Sequence, residues 1–231
     1  MNTFDIIKHW DDNLVQSHIM SELNYLINYF KKRSTTNIRY LDIGANCGRY
    51  WNVLSQHFTV DYAIMVEPST ELHKYLLHKF RDTNFSIYNF VLSDHDSMVS
   101  LADIDFSFYT QLDNNINLGL SKSYLSDNNN KTQLSAENFF NDYIYFNNIY
   151  KLDLIKIDTE NRDYHILKSM TNVLSKLESK PIICFENNYH NDMTQDEAQA
   201  ILNNFTSINL YEPINIADIN WSSVFLCPIQ A

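Results

Sequence analysis

Short apolar runs that alternate with helical segments constrain the fold of this chain more than any other feature. The runs with the length and composition of buried strands are "NIRYLDI", "YAIMVE", "FSIYNFVLS", "DLIKID" and "PIICFE". Helical periodicity appears between them in "RYWNVLSQHF", "TELHKYLLHKF" and "HILKSMTNVLSKL". Alternating β and α segments predict an α/β fold in which parallel strands are joined by right-handed crossovers.

The two ends of the chain extend this prediction. Apolar residues at helical spacing in "IMSELNYLINYFKKR" predict a helix, and we interpret residues 1–36 as a helical cover. Residues 37–231 are long enough for one α/β domain, since domains mostly run ~100–200 residues. The tail is predicted to form a helix in "TQDEAQAILNNF" and two strands, "INLYEPINI" and "SVFLCPI", that pair antiparallel.

Residues 101–135 interrupt the alternation. Most of this stretch is polar and rich in Asn and Ser, and it lacks a sustained period. Because loops of this length inside a compact domain are usually functional or mobile, we predict either a lid that faces the substrate or a surface insertion.

Charge, hydropathy and cysteine spacing exclude several classes of protein. The formal net charge of −11 argues against a nucleic-acid partner, because that affinity depends on Lys and Arg side chains that neutralise phosphates. Since no uninterrupted apolar run approaches the ~20 residues that cross a bilayer, we expect no membrane span. Cys47, Cys184 and Cys227 form no Cys-x-x-Cys pair, which argues against a disulfide framework or a thiolate zinc site and favours a cytoplasmic location.

Two glycines stand close together in "DIGANCG", although the chain contains only three. Glycine is favoured where φ is positive or where something lies against the backbone, so Gly44 and Gly48 suggest a ligand beyond the first strand. The alternative is a tight strand-to-helix turn without a ligand. A dinucleotide site would require glycine at Asn46 and Arg49, and Asp42 would place a carboxylate near the phosphates. These residues favour a cationic or neutral ligand.

S-adenosylmethionine meets this description, because its sulfonium and α-ammonium groups are positively charged. Glu67 ends the second strand in "VEPS", where an acidic side chain can accept hydrogen bonds from both ribose hydroxyls, as in nucleotide-binding βαβ units. The glycine loop and Glu67 together predict S-adenosylmethionine as the cofactor.

Four motifs, in this order, resemble the FkbM-type family of S-adenosylmethionine-dependent O-methyltransferases: "LDIGANCGRY", "VEPS", "LSDHDS" and "DLIKIDTENRDYHILKSM". The resemblance covers about residues 40–188. It implies a single Rossmann-like class I methyltransferase domain, with a seven-stranded, mostly parallel sheet of order 3-2-1-4-5-7-6 and helices on both faces.

The resemblance also implies roles for individual residues. The residues that match the methionine-side motif of the family are Asp42, Gly44, Asn46 and Gly48. Glu67 matches the ribose acid, and Leu92 and Ser93, which close the predicted third strand, fall near the expected adenine position. The family usually reads Lys-Ile-Asp-x-Glu-Gly-x-Glu after the fourth strand, whereas this chain has Asn161 and Asp163 in place of the glycine and the second glutamate.

Acidic residues at the ends of the fourth and fifth strands are candidates for the chemistry. Asp158 follows the fourth strand, and Glu186 and Asn187 end the fifth, which resembles the oxygen ligand set of metal-dependent O-methyltransferases and suggests a divalent cation such as Mg²⁺. The alternative is that these residues only cap loops or helix N-termini. His190 is the first candidate for the proton acceptor, Glu160 is the second, and Asp158 completes the predicted catalytic set.

The sequence therefore predicts an O-methyltransferase that uses S-adenosylmethionine to methylate a hydroxyl on a sugar of a glycan or glycoconjugate. Such an enzyme would be fused to glycosyltransferases or act with them. A polyketide or macrolide hydroxyl is the alternative acceptor within the same family. A nicotinamide-dependent oxidoreductase and a noncatalytic methyltransferase-like partner domain are the other two hypotheses.

Overall fold

The computed structural model describes residues 2–13, 17–100, 130–159, 162–187, 193–218 and 221–229. Its strands are β1 (Asn37–Ile43), β2 (Thr59–Val66), β3 (Ser86–Tyr88), β4 (Val91–Ser93), β5 (Ser97–Ser100), β6 (Asn130–Ser135), β7 (Leu154–Ile157), β8 (Ile182–Glu186), β9 (Tyr211–Asp218) and β10 (Trp221–Pro228). Its helices are α1 (Thr3–Asn13), α2 (Ser17–Lys32), α3 (Arg49–Leu54), α4 (Thr70–Lys79), α5 (Ala136–Phe139), α6 (Asp163–Met170) and α7 (Gln195–Asn209). A π-helical turn continues α5 over Phe140–Tyr145.

Seven strands form the main sheet in the order β3-β2-β1-β7-β8-β10-β9. β10 runs antiparallel to its neighbours β8 and β9, whereas the pairs from β3 to β8 are parallel. If only the strands of this sheet are counted, the order is 3-2-1-4-5-7-6, so the predicted class I sheet and the antiparallel tail are confirmed.

A second sheet, with the order β4-β6-β5, was not predicted. The run expected as one third strand divides, because β3 pairs with β2 in the main sheet while β4 pairs with β6. The prediction of an irregular segment over 101–135 was wrong for residues 130–135, which form β6. The rest of that segment, and with it the lid hypothesis, lies outside the described residues.

Helices cover both faces of the main sheet, as predicted. On one face, Tyr40 and Met65 pack with the apolar side of α2, represented by Leu26 and Phe30. On the other face, Leu41, Ile43 and Val66 pack with residues of α5, α6 and α7. The alternation along β1 follows from the two-residue period of a strand, which sends neighbouring side chains into opposite layers.

The N-terminal helices lie against this frame. The described part of the chain contains no helix with the length and apolar character needed to cross a membrane. Ile6 and Ile7 of α1 are buried, and Phe4 places its ring 5.1 Å from the ring of Tyr75 on α4. The carboxylate of Asp11 accepts a hydrogen bond from Lys79 at 2.7 Å, which fastens α1 to α4.

Candidate active site

The loop between β1 and α3 turns sharply because three of its residues have positive φ: 78° at Gly44, 53° at Asn46 and 79° at Gly48. A Cβ atom on Gly44 would lie 1.8 Å from the backbone oxygen of Asp158, and one on Gly48 would lie 3.0 Å from the ring of Phe80. The chain's own backbone and core therefore require these glycines. These contacts agree with the alternative of a tight strand-to-helix turn, and a ligand against this loop stays a prediction.

Glu67 connects the loops that follow the first two strands. Its carboxylate accepts hydrogen bonds from the backbone amides of Asn46, at 2.7 Å, and Ser69, at 2.8 Å. Burial raises the pKa of Glu67 to about 7, although both amide hydrogen bonds favour the ionised form. The predicted ribose acid thus lies at the carboxyl edge of β2, where it also orders both loops.

A second charged group connects β1 with β7. The ammonium of Lys156 donates to the carbonyl oxygen of Gly44 at 2.6 Å and lies 3.2 Å from Asp42 and 3.4 Å from Asp158. Burial alone would lower the pKa of Lys156, but the two carboxylates outweigh it and the net shift is upward. Lys156 therefore stays charged and fixes the glycine loop against the end of β7.

Asp42 is buried, with a relative exposure of 1 %, and supports this loop through Lys156. The Nζ of Lys156 lies 3.2 Å from one carboxylate oxygen of Asp42 and forms an ion pair with it, and the other carboxylate oxygen has no hydrogen-bond partner among the described residues. Burial raises the pKa of Asp42, and Lys156 acts in the opposite direction. Direct contact between Asp42 and a cofactor stays a prediction.

Asp163 connects the loops that follow β7 and β8 in the way that Glu67 connects those after β1 and β2. Its carboxylate accepts from the amide and the hydroxyl of Thr159, at 2.9 and 2.6 Å, and from the amide of Glu186, at 3.0 Å. Burial raises the pKa of Asp163 to about 6, the charge of Asp158 adds to the rise, and these hydrogen bonds oppose it. The position that departs from the family pattern is thus a structural fastening of the site.

We expect Asp163→Ala to lower the free energy of unfolding by about 2 kcal/mol, because two backbone amides and a hydroxyl lose their acceptor. Asp196→Ala is the matched control, since Asp196 also lies in the first turn of a helix but is exposed. Urea unfolding of both variants at pH 7 measures the difference. Equal stabilities for the two variants would show that Asp163 does not fasten the loops.

The remaining predicted site residues are placed as follows. Leu92 and Ser93 are buried on β4 of the small sheet and not on the third strand of the main sheet, which corrects their location; their adenine role stays a prediction. Glu160 and His190 lie outside the described residues. Asp158 is at the carboxyl edge of β7, and its side chain is 48 % exposed.

The proposed metal ligands gain no support from the described residues, which contain no group of three or more His, Cys, Asp or Glu side chains suited to hold a metal ion. Asn187 receives a hydrogen bond on its amide oxygen from the hydroxyl of Tyr164. The backbone amide of Glu186 donates to Asp163. The alternative reading of these strand ends, as parts of loop fastenings, agrees with both contacts.

Sequence reasoning missed the roles of Lys156 and Asp163. Lys156 interrupts the fully buried strand "LIKI", and Asp42 interrupts the buried part of β1 in the same way. Charged residues inside buried runs on neighbouring strands are the signal that could have identified the pair, because such charges are seldom buried without a partner. The two residues are also direct partners in the β1–β7 register.

Known proteins are similar to this chain in sequence and in fold. The sequence model of the Methyltransferase FkbM domain matches residues 42–210. A search of curated proteins gave no match. The chain is similar to the solved structure of methyltransferase FkbM from Methylobacillus flagellatus KT, with 14 % identity and a TM-score of 0.52 over 97 % of this chain and 58 % of that one. It is also similar to a candidate O-methyltransferase from Klebsiella pneumoniae, with 10 % identity and a TM-score of 0.50 over 99 % of this chain and 91 % of that one.

Both likenesses concern the fold. The chain spans 58 % of the length of the Methylobacillus protein.

Proposed function

This chain belongs to the FkbM methyltransferase family, and we propose that it transfers a methyl group from S-adenosylmethionine to a hydroxyl on a sugar of a glycan or glycoconjugate. The observation that carries the proposal is the buried carboxylate of Glu67 at the carboxyl edge of β2, between the two loops that would hold the cofactor. An ionised carboxylate offers about four acceptor positions. Two are taken by backbone amides, and two can accept the ribose hydroxyls.

The loop after β1 would receive the methionyl part of the cofactor. Gly44, Asn46 and Gly48 shape its backbone, and Lys156 holds the carbonyl of Gly44 in place. A rigid loop lowers the entropic cost of binding, because the site is already ordered before the ligand arrives. In this proposal Asp42 affects the cofactor indirectly: it pairs with Lys156, which holds the loop, and its own negative charge attracts the cationic cofactor.

Asp158 would act on the acceptor. Its carboxylate is exposed at the end of β7, next to the end of β8, and parallel strands present their ligands at this edge of the sheet. Methyl transfer is a displacement in which the acceptor oxygen must align with the sulfur–methyl bond, so a carboxylate that binds the hydroxyl contributes orientation. The proton then passes to a base, for which His190 and Glu160 stay the predicted candidates.

A divalent cation bound by Asp158, Glu186 and Asn187 would lower the pKa of the acceptor hydroxyl. The test below therefore compares magnesium with EDTA. The sugar acceptor is proposed from the family's range of substrates. The test also distinguishes three other hypotheses: methylation of a polyketide hydroxyl, a nicotinamide-dependent oxidoreductase, and a domain that binds the cofactor without turnover.

The experiment is methyl transfer from S-adenosylmethionine carrying a labelled methyl group to a panel of deoxysugars, other sugars and macrolides, with magnesium or with EDTA. We expect labelled product from a sugar. Label confined to macrolides would move the acceptor to the polyketide class. Cofactor binding without transfer to any acceptor would favour a noncatalytic domain, and a thermal shift with reduced nicotinamide cofactor would favour an oxidoreductase.

We expect Asp158→Asn to lower the rate of transfer at least ~100-fold, because a misplaced acceptor hydroxyl can cost this much, with the affinity for S-adenosylhomocysteine nearly unchanged. The fold should survive, because Gly44 contacts the backbone of Asp158 and not its side chain. Asp82→Asn is the control, since that aspartate is exposed beyond α4 and should keep the full rate. A normal rate in Asp158→Asn would remove this residue, and a metal bound by it, from the mechanism.

A further inference from the structure

Glu22 of α2 lies in a part of the chain that the family match does not include, since that match begins at residue 42. Its carboxylate accepts hydrogen bonds from the hydroxyl of Tyr50 on α3 and from the hydroxyl of Ser223 on β10. Tyr50 comes two residues after Gly48, and Ser223 is the partner of Glu186 in the β8–β10 register. We call the loop between β1 and α3 the cofactor loop. Glu22 therefore lies between the cofactor loop and the carboxyl ends of the central strands.

The same face of the sheet carries the Asp42–Lys156 pair. Asp42 and Lys156 are partners across β1 and β7, and Lys156 and Cys184 are partners across β7 and β8. The hydroxyl of Tyr50, which donates to Glu22, lies 3.7 Å from the sulfur of Cys184 and so connects Glu22 to these three strand residues. The charges that act on Glu22 from the sheet are those of Lys156 and Asp158.

We define the edge cluster as Glu22, Asp42, Asp158 and Lys156. It contains three carboxylates and one ammonium, which lies 3.2 Å from Asp42 and 3.4 Å from Asp158 and donates to the carbonyl of Gly44. One ammonium therefore acts on three carboxylates, so the negative charge of the cluster is incompletely compensated. Burial raises the pKa of Glu22, whereas the hydrogen bonds from Ser223 and Tyr50 and the charge of Lys156 act in the opposite direction and favour its ionised form.

We infer that Glu22 is a specificity residue of the cofactor site, where the edge cluster favours the cationic sulfur of S-adenosylmethionine over the neutral sulfur of S-adenosylhomocysteine. This inference rests on the proposed function. Transfer of the methyl group removes the positive charge from sulfur, so the product loses the attraction that held the substrate. The cluster would thus assist release of the product.

The test is the ratio of two affinities measured by calorimetry, for S-adenosylmethionine and for S-adenosylhomocysteine, in the wild type and in Glu22→Gln. The substitution keeps the shape of the side chain and removes its charge. We expect the preference for S-adenosylmethionine over S-adenosylhomocysteine to fall about tenfold, and the fall to shrink in high salt as charges are screened. Glu178→Gln is the control, because Glu178 is exposed before β8, at the opposite edge of the sheet.

A merely structural role for Glu22 would give a different result. If the side chain only fastens α2, both affinities fall together and their ratio stays constant, which would overturn the inference. Ser223→Ala provides the comparison, since it removes one hydrogen bond from Glu22 and leaves the charge in place. If the folded wild type binds neither compound, the proposed function fails first and this inference fails with it.

Discussion

Glu67→Ala is expected to weaken binding of S-adenosylhomocysteine at least ~100-fold at pH 8 and to lower the free energy of unfolding at pH 5 by ~2 kcal/mol. The affinity falls because the ribose hydroxyls lose their acceptor, and the stability falls because the amides of Asn46 and Ser69 lose theirs. Calorimetry measures the first effect and urea unfolding the second. Glu71→Ala is the control, since that glutamate pairs with Lys74 at the surface of α4 and should change neither quantity.

The contribution of Glu67 to the free energy of unfolding should depend on pH. Because the pKa of Glu67 is raised to about 7 in the folded protein from an ordinary value of 4.5, the folded state binds more protons than the unfolded state between these values. The contribution of Glu67 to stability is therefore greatest below about pH 4.5 and is lost as pH rises to 7, by up to ~3 kcal/mol.

Ligand binding should have the opposite dependence on pH. Ribose hydroxyls donate to the ionised form of Glu67, so a bound ligand lowers the pKa and releases protons. We expect the affinity for S-adenosylhomocysteine to rise about tenfold from pH 6 to pH 8. A flat profile in the wild type, or the same rise in Glu67→Gln, would contradict the role of Glu67.

Gly44→Ala should be the most destabilising single substitution in the cofactor loop, at ~4 kcal/mol or more. A Cβ atom would lie 1.8 Å from the backbone oxygen of Asp158, and φ of 78° adds strain for any residue with a side chain. For a chain of this length, the thermal midpoint should fall by about 10 °C. Differential scanning calorimetry measures this change.

Gly48→Ala is the matched comparison. Its φ is 79°, almost the same, but the nearest atoms to an added Cβ are side-chain atoms of Phe80 and Leu76 at 3.0 to 3.2 Å, which is a much smaller overlap than 1.8 Å from a backbone oxygen. We expect a loss of only ~1–2 kcal/mol. If both variants lose the same stability, close packing of the loop against β7 does not explain the glycine at position 44.

The main sheet could be predicted because its strands are short runs of buried apolar residues separated by amphipathic helices. Runs such as "LIKI" in β7 and "IICFE" in β8 carry this signal locally. The small sheet could not be predicted, because β6 is mostly polar, β5 has only four residues, and the two are held by pairing between residues such as Ser97 and Gln133. That pairing depends on segments far apart in the chain.

Part of the candidate site could be predicted, namely the residues whose role follows from the strand that they end. Glu67 could be located because an acid after the second strand faces the ligand edge in this class of sheet. The hydrogen bonds of Lys156 to Gly44 and of Asp163 to Glu186 could not be predicted, since these partners are 112 and 23 residues away in sequence. Such fastenings become visible only when the carboxyl ends of the strands are brought together.

Isothermal titration of the wild-type chain with S-adenosylhomocysteine, with magnesium and with EDTA, would show whether the loops after β1 and β2 bind the cofactor. We expect saturable binding at one site per chain at pH 8, weakened at least ~100-fold in Glu67→Ala. Weaker binding in EDTA would favour the metal hypothesis. Absence of binding under both conditions, in a protein shown to be folded by its thermal transition, would contradict the assignment of the β1 and β2 loops as a cofactor site.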